Sequence, residues 1–158
     1  MTEDRDLEVR ITALEDIEAI KKMKAKYWRS VDKSLLDDLA ECFTEDAVAD
    51  FGHHGPFQGK EAIMDFFKQG RDPAHDPVTR THQGHNPEIE LTGDTTAKGV
   101  WQLWFYAIDN QSNRGRRSAG YYADEYVKEA GQWKHKDTSI SYVFREQFDR
   151  EKQGLKLV

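Results

Sequence analysis

Two histidines stand three residues apart in RTHQGHNPEIEL (Arg80–Leu91), and two more are adjacent in GHHGPFQG, at His53 and His54. Imidazole takes and returns a proton near neutral pH, and it is also a common metal ligand. If Val78–Leu91 is a regular strand, alternation puts His82, Gly84 and Asn86 on one face and His85, Ile89 and Leu91 on the other. Only one imidazole of HQGH then faces any one site, and His85 reads as structural or interfacial. Gly84, next to His82 on its face, leaves room for a ligand or a close backbone. Pro87 marks a place for a bulge or an edge. His53 and His54 on an extended chain would point opposite ways. No cysteine partner or HExxH spacing accompanies them, so they read as loop histidines at a pocket mouth, not metal ligands. P-loop, dinucleotide and nucleophile-elbow motifs are absent.

The elements that position these residues follow from periodicity. Leu7, Ile11, Leu14, Ile17, Ile20, Met23, Tyr27 and Val31 step by three or four, which predicts one long helix with that face buried and Tyr27 near its C-terminal end. SLLDDLAECF predicts a second helix with Ser34 as N-cap. TED breaks it, and AVADF reads as a short strand. After the Gly/Pro loop of GHHGPFQG, KEAIMDFFKQ predicts a short helix burying Ile63, Phe66 and Phe67. RDPAHDP (Arg71–Pro77) is a second loop. Strands follow over Val78–Leu91, Ala97–Ile108, Ser118–Lys128 and Gln132–Arg145. The tail from Glu146 carries no assignment. Ala97–Ile108 is apolar on both faces, which predicts a central, doubly covered strand. NRGRR, Asn113–Arg117, reads as a solvated hairpin tip.

Helices first and strands after predict an α+β domain spanning 1–158, its core at about 7–148 and its tail at 149–158. Long antiparallel strands curl, and helices over the concave side would leave a pocket open at one end. The 158 residues carry four Trp, six Tyr and eight Phe, which suit a large core or an aromatic-lined pocket. A net charge of −6 argues against nucleic-acid and anionic-membrane partners. The single cysteine, Cys42, permits no internal disulfide and suits a reducing cytoplasm. No signal-peptide pattern or membrane-length apolar run is present.

YWRSVDKSLLDDLAECFTEDAVADF and GPFQGKEAIMDFF resemble the front half of the nuclear transport factor 2-like superfamily. Within it the chain is most similar to the SnoaL-like and scytalone dehydratase-like branch. DIEAIKKMKAKYWRSVD, HQGHNPEIEL and YYADEYVKEAGQWKH resemble bile-acid 7α-dehydratases most closely. The likeness spans roughly Leu14–Phe148 and implies a cone-shaped α+β barrel. It also implies catalytic roles for Tyr27, Asp32 and His82, the first histidine of HQGH, and an assembly that is a homotrimer before a dimer. A related hexachlorocyclohexane dehydrochlorinase has Lys where this chain has Tyr27 and Arg where it has Thr138, which disfavours dehydrochlorination. An arginine that bile-acid dehydratases carry late in the last strand is replaced near Tyr142.

The implied chemistry is elimination of water from a hydrophobic cyclic hydroxy-ketone, steroid-like or aromatic. His82 would be the base for the C–H proton beside the carbonyl. Asp32 would hold the other ring nitrogen, fix the tautomer and stabilise the imidazolium. Tyr27 would donate to the enolate oxygen. No metal or cofactor is called for. His54, Trp104, Tyr106 and Tyr142 are the substrate-binding candidates. By spacing alone, His82 reads as a satisfied strand histidine, Asp32 as a helix-end or turn former and Tyr27 as packed core. An isomerase or polyketide cyclase would use the same base without a leaving group. A non-catalytic ligand-binding or assembly module would leave Asp32 and His82 beyond hydrogen-bond reach, about 3.2 Å, with no pocket between them.

Overall fold

The structure, a computed structural model, describes residues 2–69 and 76–155. The predicted loop Arg71–Pro77 therefore lies outside the described residues up to His75, as do the last three residues of the tail. Helix α1 spans Thr2–Lys33, α2 Leu36–Ala40 and α3 Lys60–Lys68. Strands are β1 (Phe43–Asp50), β2 (Phe57–Gln58), β3 (Val78–Gly93), β4 (Thr96–Asp109), β5 (Arg114–Glu129) and β6 (Gln132–Asp149). They form one six-stranded sheet in the order β2-β1-β6-β5-β4-β3. Pairing is antiparallel except between β1 and β6, which run parallel. The helices pack on one face of this curved, unclosed sheet, the cone-shaped α+β arrangement. Among the described residues no helix is long and apolar enough to cross a membrane.

The long helix is anchored over its second half only. Ile20, Tyr27, Trp28 and Val31 are buried against the sheet, while Leu7, Ile11 and Leu14 are exposed, Leu14 to 63%. The predicted apolar stripe is real, but its first two turns run past the sheet. Contact begins at Asp16, which accepts from Trp133 Nε1 at 2.9 Å and pairs with Lys128 at 2.6 Å.

Four local expectations are corrected. Ser34 does not cap α2: it takes a positive φ of 55° and ends α1, and no side chain caps α2 at Leu35. Strand β1 begins at Phe43, so Thr44–Asp46 lie within it, not between the second helix and the strand. Arg114–Arg117 lie within β5, not at a hairpin tip. β4 is the second strand from the β3 edge, and its outer face is uncovered, with Val100 and Trp104 exposed. Its apolar outer residues therefore do not signal a second covering layer.

Three bulges decide which side chains face the helices. In β3, Asn86 and Pro87 together oppose one residue of β4, and Asn86 has a φ of 48°. Asn86 thereby leaves the face of His82 and donates to Gln102 at 2.7 Å, while Ile89 and Leu91 turn inward against the cluster of Ile20, Tyr126 and Trp133. In β6, Lys136 and Val143 are each an extra residue in the pairing with β5. An extra residue resets the alternation beyond it. His135 and Thr138 consequently face inward three residues apart, and so do Tyr142 and Arg145.

Candidate active site

A cavity of about 320 Å³ opens between the C-terminal half of α1, α3 and the concave side of the sheet. That is the lower end of the range for small-molecule pockets. Its wall is built in cross-strand rows. The register aligns Gly84, Leu103, Gly120 and Tyr142; then His82, Phe105, Ser118 and Arg145; then Arg80, Ala107 and Arg116. Successive rows lie two residues apart along each strand, about 6.6 Å.

The innermost row is closed by the protein itself. A Cβ built on Gly84 would sit 1.7 Å from Trp28 Cη2. The space that the glycine leaves is thus filled by an indole from α1, not by a ligand. This contact brings the last turn of α1 onto β3 and places Asp32 beside His82.

Asp32 Oδ1 lies 2.5 Å from His82 Nδ1, and Asp32 Oδ2 accepts the backbone N–H of His82 at 2.9 Å. A carboxylate near a helix C-terminus is unfavourable for the helix dipole; here two N–H donors of the facing strand hold it. An ionised carboxylate can only accept, so Nδ1 carries the proton and a neutral His82 keeps its lone pair on Nε2. The two side chains are 17% and 15% exposed, and the imidazole rests on Phe105 at 4.6 Å between ring centres. His85, by contrast, is exposed and turned away from this face.

Tyr27 lines the same cavity from α1 and is buried. Its hydroxyl lies near that of Tyr122 on β5. Burial above all pushes both phenols above their ordinary range, so both stay protonated as donors. Tyr142 shifts the same way through burial, against the pull of Arg145.

Of the substrate-binding candidates, His54 and Tyr142 line the cavity, His54 with its ring 5.5 Å from that of Phe66. Trp104 and Tyr106 do not. They occupy the even positions of β4, on the outer face, where Trp104 packs on Phe144 and Tyr106 on Phe148. Phe105, between them, is the β4 aromatic in the wall. Sequence reasoning missed Tyr122, Arg80, Arg116 and Arg145. Arg80 shares parity with His82, so alternation held the signal for it. Arg145 was hidden by the extra residue at Val143. Arg145, late in the last strand, lines the cavity. Thr138 does not reach it: its hydroxyl is buried and donates to Asp124 at 2.6 Å.

Behind the cavity lies a second, closed cluster. Lys24, Asp124 and His135 are fully buried or nearly so. Lys24 Nζ pairs with Asp124 at 2.7 Å and lies 3.3 Å from His135 Nε2. Asp124 also accepts from Tyr126 and Thr138, each at 2.6 Å, and Tyr126 in turn accepts from Trp101 at 2.8 Å. His135 Nδ1 donates to the Cys42 carbonyl at 3.3 Å. Burial first, and Lys24 beside it, hold the imidazole down to about 3, so it is neutral at physiological pH. Burial also lowers Lys24; burial would raise Asp124, but the adjacent Lys24 holds it low. Among the described residues no group of three metal-ligating side chains converges.

A model of the SnoaL-like domain matches residues 12–138. The chain belongs to the SnoaL-like domain family. Several solved structures share the fold of this SnoaL-like chain. One is a proposed scytalone dehydratase of Novosphingobium aromaticivorans, with TM-score 0.79 and 21% identity, covering 89% of this chain and 91% of that one. Another is the type 3 hexachlorocyclohexane dehydrochlorinase LinA of Novosphingobium barchaimii, with TM-score 0.79 and 20% identity over 94% and 98% of the two chains. A type 2 LinA gives 0.78 and 20% over 88% and 93%. At these identities the likeness is one of fold.

Proposed function

We propose that this SnoaL-like protein is a cofactor-independent dehydratase of a hydrophobic cyclic hydroxy-ketone. The observation that carries the reading is the 2.5 Å contact of Asp32 with His82 on a cavity wall that also holds Tyr27. A binding module with no catalytic duty has no need of that pair. His82 Nε2 takes the proton from the carbon beside the carbonyl. As that bond breaks, charge gathers on the carbonyl oxygen, and the Tyr27 hydroxyl donates to it. Asp32 stabilises the imidazolium. The enolate collapses, the C–O bond to the hydroxyl breaks, and the imidazolium returns its proton to the leaving oxygen. The products are water and an enone, and His82 ends neutral as it began. We infer a homotrimer from the family resemblance, which light scattering tests, and a cytoplasmic setting from the single cysteine, Cys42.

An absorbance screen for new enone bands, with hydroxy-steroids and hydroxylated aromatic ketones, tests the reaction. The wild type is expected to generate a band that His82→Ala does not. Exchange of the α-proton for deuterium without a band would instead mark an isomerase. Neither signal with any compound would sink the catalytic reading.

A further inference from the structure

We propose that the cavity takes an acidic ligand, its carboxylate held between Arg80 and Arg116 one row outside His82. The inference rests on the same cavity as the proposed dehydration and adds the chemical class of what enters it.

Arg80 carries the first observation. Its side chain is 9% exposed, and one amino group pairs with Asp76 at 2.7 Å. The other, Nη1, is sealed from solvent and has no hydrogen-bond partner among the described residues. A buried guanidinium N–H left unpaired is costly, and an oxyanion in the cavity would supply the missing acceptor.

Register carries the second. Arg80 pairs with Ala107, and Ala107 with Arg116, so the two arginines flank one small buried residue in a single row. Their strands lie two places apart in the sheet, about 9.6 Å between backbones. A larger side chain than alanine would fill the gap. Arg116 has no ion-pair partner among the described residues. Two guanidiniums carried on the two sides of such a gap suit the forked geometry of a carboxylate.

Charge balance is the third. The chain has a net charge of −6, yet the row outside His82 carries two arginines, Arg80 and Arg116, with one described carboxylate, Asp76, beside them. The sign is reversed just where a ligand enters, and field lines concentrate in such a cleft. Arg117, one residue from Arg116, faces the other way and is neutralised by Glu146. Arg116, unlike Arg117, has no described ion pair.

The test compares 2-naphthoate with its neutral isostere 2-naphthamide by calorimetry, in wild type, Arg80→Gln, Arg116→Gln and Arg117→Gln. The wild type is expected to bind the acid at least about tenfold more tightly than the amide, a difference of about 1.4 kcal/mol. Arg116→Gln should reduce that preference to threefold or less, as should Arg80→Gln. Arg117→Gln, of equal charge change, should keep it. Because Arg80 is buried, its variant must first show a wild-type melting curve; exposed Arg116 decides the matter alone if it does not. Equal affinity for acid and amide, no binding of the acid, or equal losses in Arg116→Gln and Arg117→Gln would each overturn the proposal. The outcome is separable from the dehydration reading. An intact acid preference without any enone product would remove the reaction and keep the ligand class; turnover of neutral ketones with no acid preference would do the reverse.

Discussion

Among the described residues stand two aspartate–histidine pairs, and they are built to opposite ends. Asp32 and His82 meet on a cavity wall, both partly exposed, with Nε2 of the imidazole free of partners among the described residues. Asp124 and His135 lie in the closed core, where Lys24, Tyr126, Thr138 and a carbonyl take up every ring nitrogen and both carboxylate oxygens. The side-chain types are the same. What differs is one unfilled valence and a volume beside it. A group that must give and take a proton needs an open position, whereas a buried ion cluster is tolerable only when it is saturated.

Tyr27 joins the two regions. Its ring packs edge-on to His135 at 5.1 Å, and its body lines the cavity. The rigid cluster therefore serves as a backstop for the donor in the site. Lys24 adds to it by lying over the rings of Tyr27, Trp28 and Tyr122, with the nearest centre, that of Tyr122, at 4.0 Å.

The contrast can be broken from either side. Asp124→Ala leaves Lys24 buried without its counter-charge and should cost about 3–5 kcal/mol, read as a collapse of the urea midpoint. His82→Ala should leave the midpoint near wild type and lower turnover by about 10²–10⁴-fold in the enone assay. Tyr27→Phe should lower turnover by about 10²–10³-fold, as loss of an oxyanion donor does, with a stability change of only about 1 kcal/mol for loss of one hydroxyl.

Acid should act on the closed pair. The unfolded chain takes up a proton on His135 near the ordinary 6.5, but the folded chain does so only near 3. Its stabilising contribution is therefore complete above pH 6.5 and is lost as pH falls from there toward 3. The loss is at most about 1.4 kcal/mol per pH unit. Urea titrations at pH 7, 6 and 5 should show that slope, and His135→Gln, which keeps a donor and an acceptor, should flatten it. The smallest effect belongs to His85→Ala: on the solvent side of β3, it should change neither turnover nor stability beyond about 0.5 kcal/mol.

Periodicity made the elements and their order readable, because a 3.6-residue step and a two-residue step leave different apolar patterns. It also separated His82 from His85. The pairing of Asp32 with His82 was not readable that way. Fifty residues separate them, and they meet because Trp28 sits on Gly84; only family resemblance joined them beforehand. Alternation misled wherever a strand carried an extra residue. Asn86–Pro87 turned Ile89 and Leu91 inward, and the extra residues in β6 hid the shared facing of His135 with Thr138 and of Tyr142 with Arg145. Trp104 and Tyr106 misled for another reason. Large aromatics suggested a pocket, but an uncovered outer face accepts them as readily.

Val143 is the residue that β6 inserts between Tyr142 and Phe144, and it points into solvent at 66% exposure. Removing it would restore regular alternation and leave Tyr142 and Arg145 facing inward as before. What would change is the bend of the strand. Shape and chemistry are thus encoded in separate letters of the same strand: the wall residues set what the cavity presents, and one solvent-facing position sets how the strand bends.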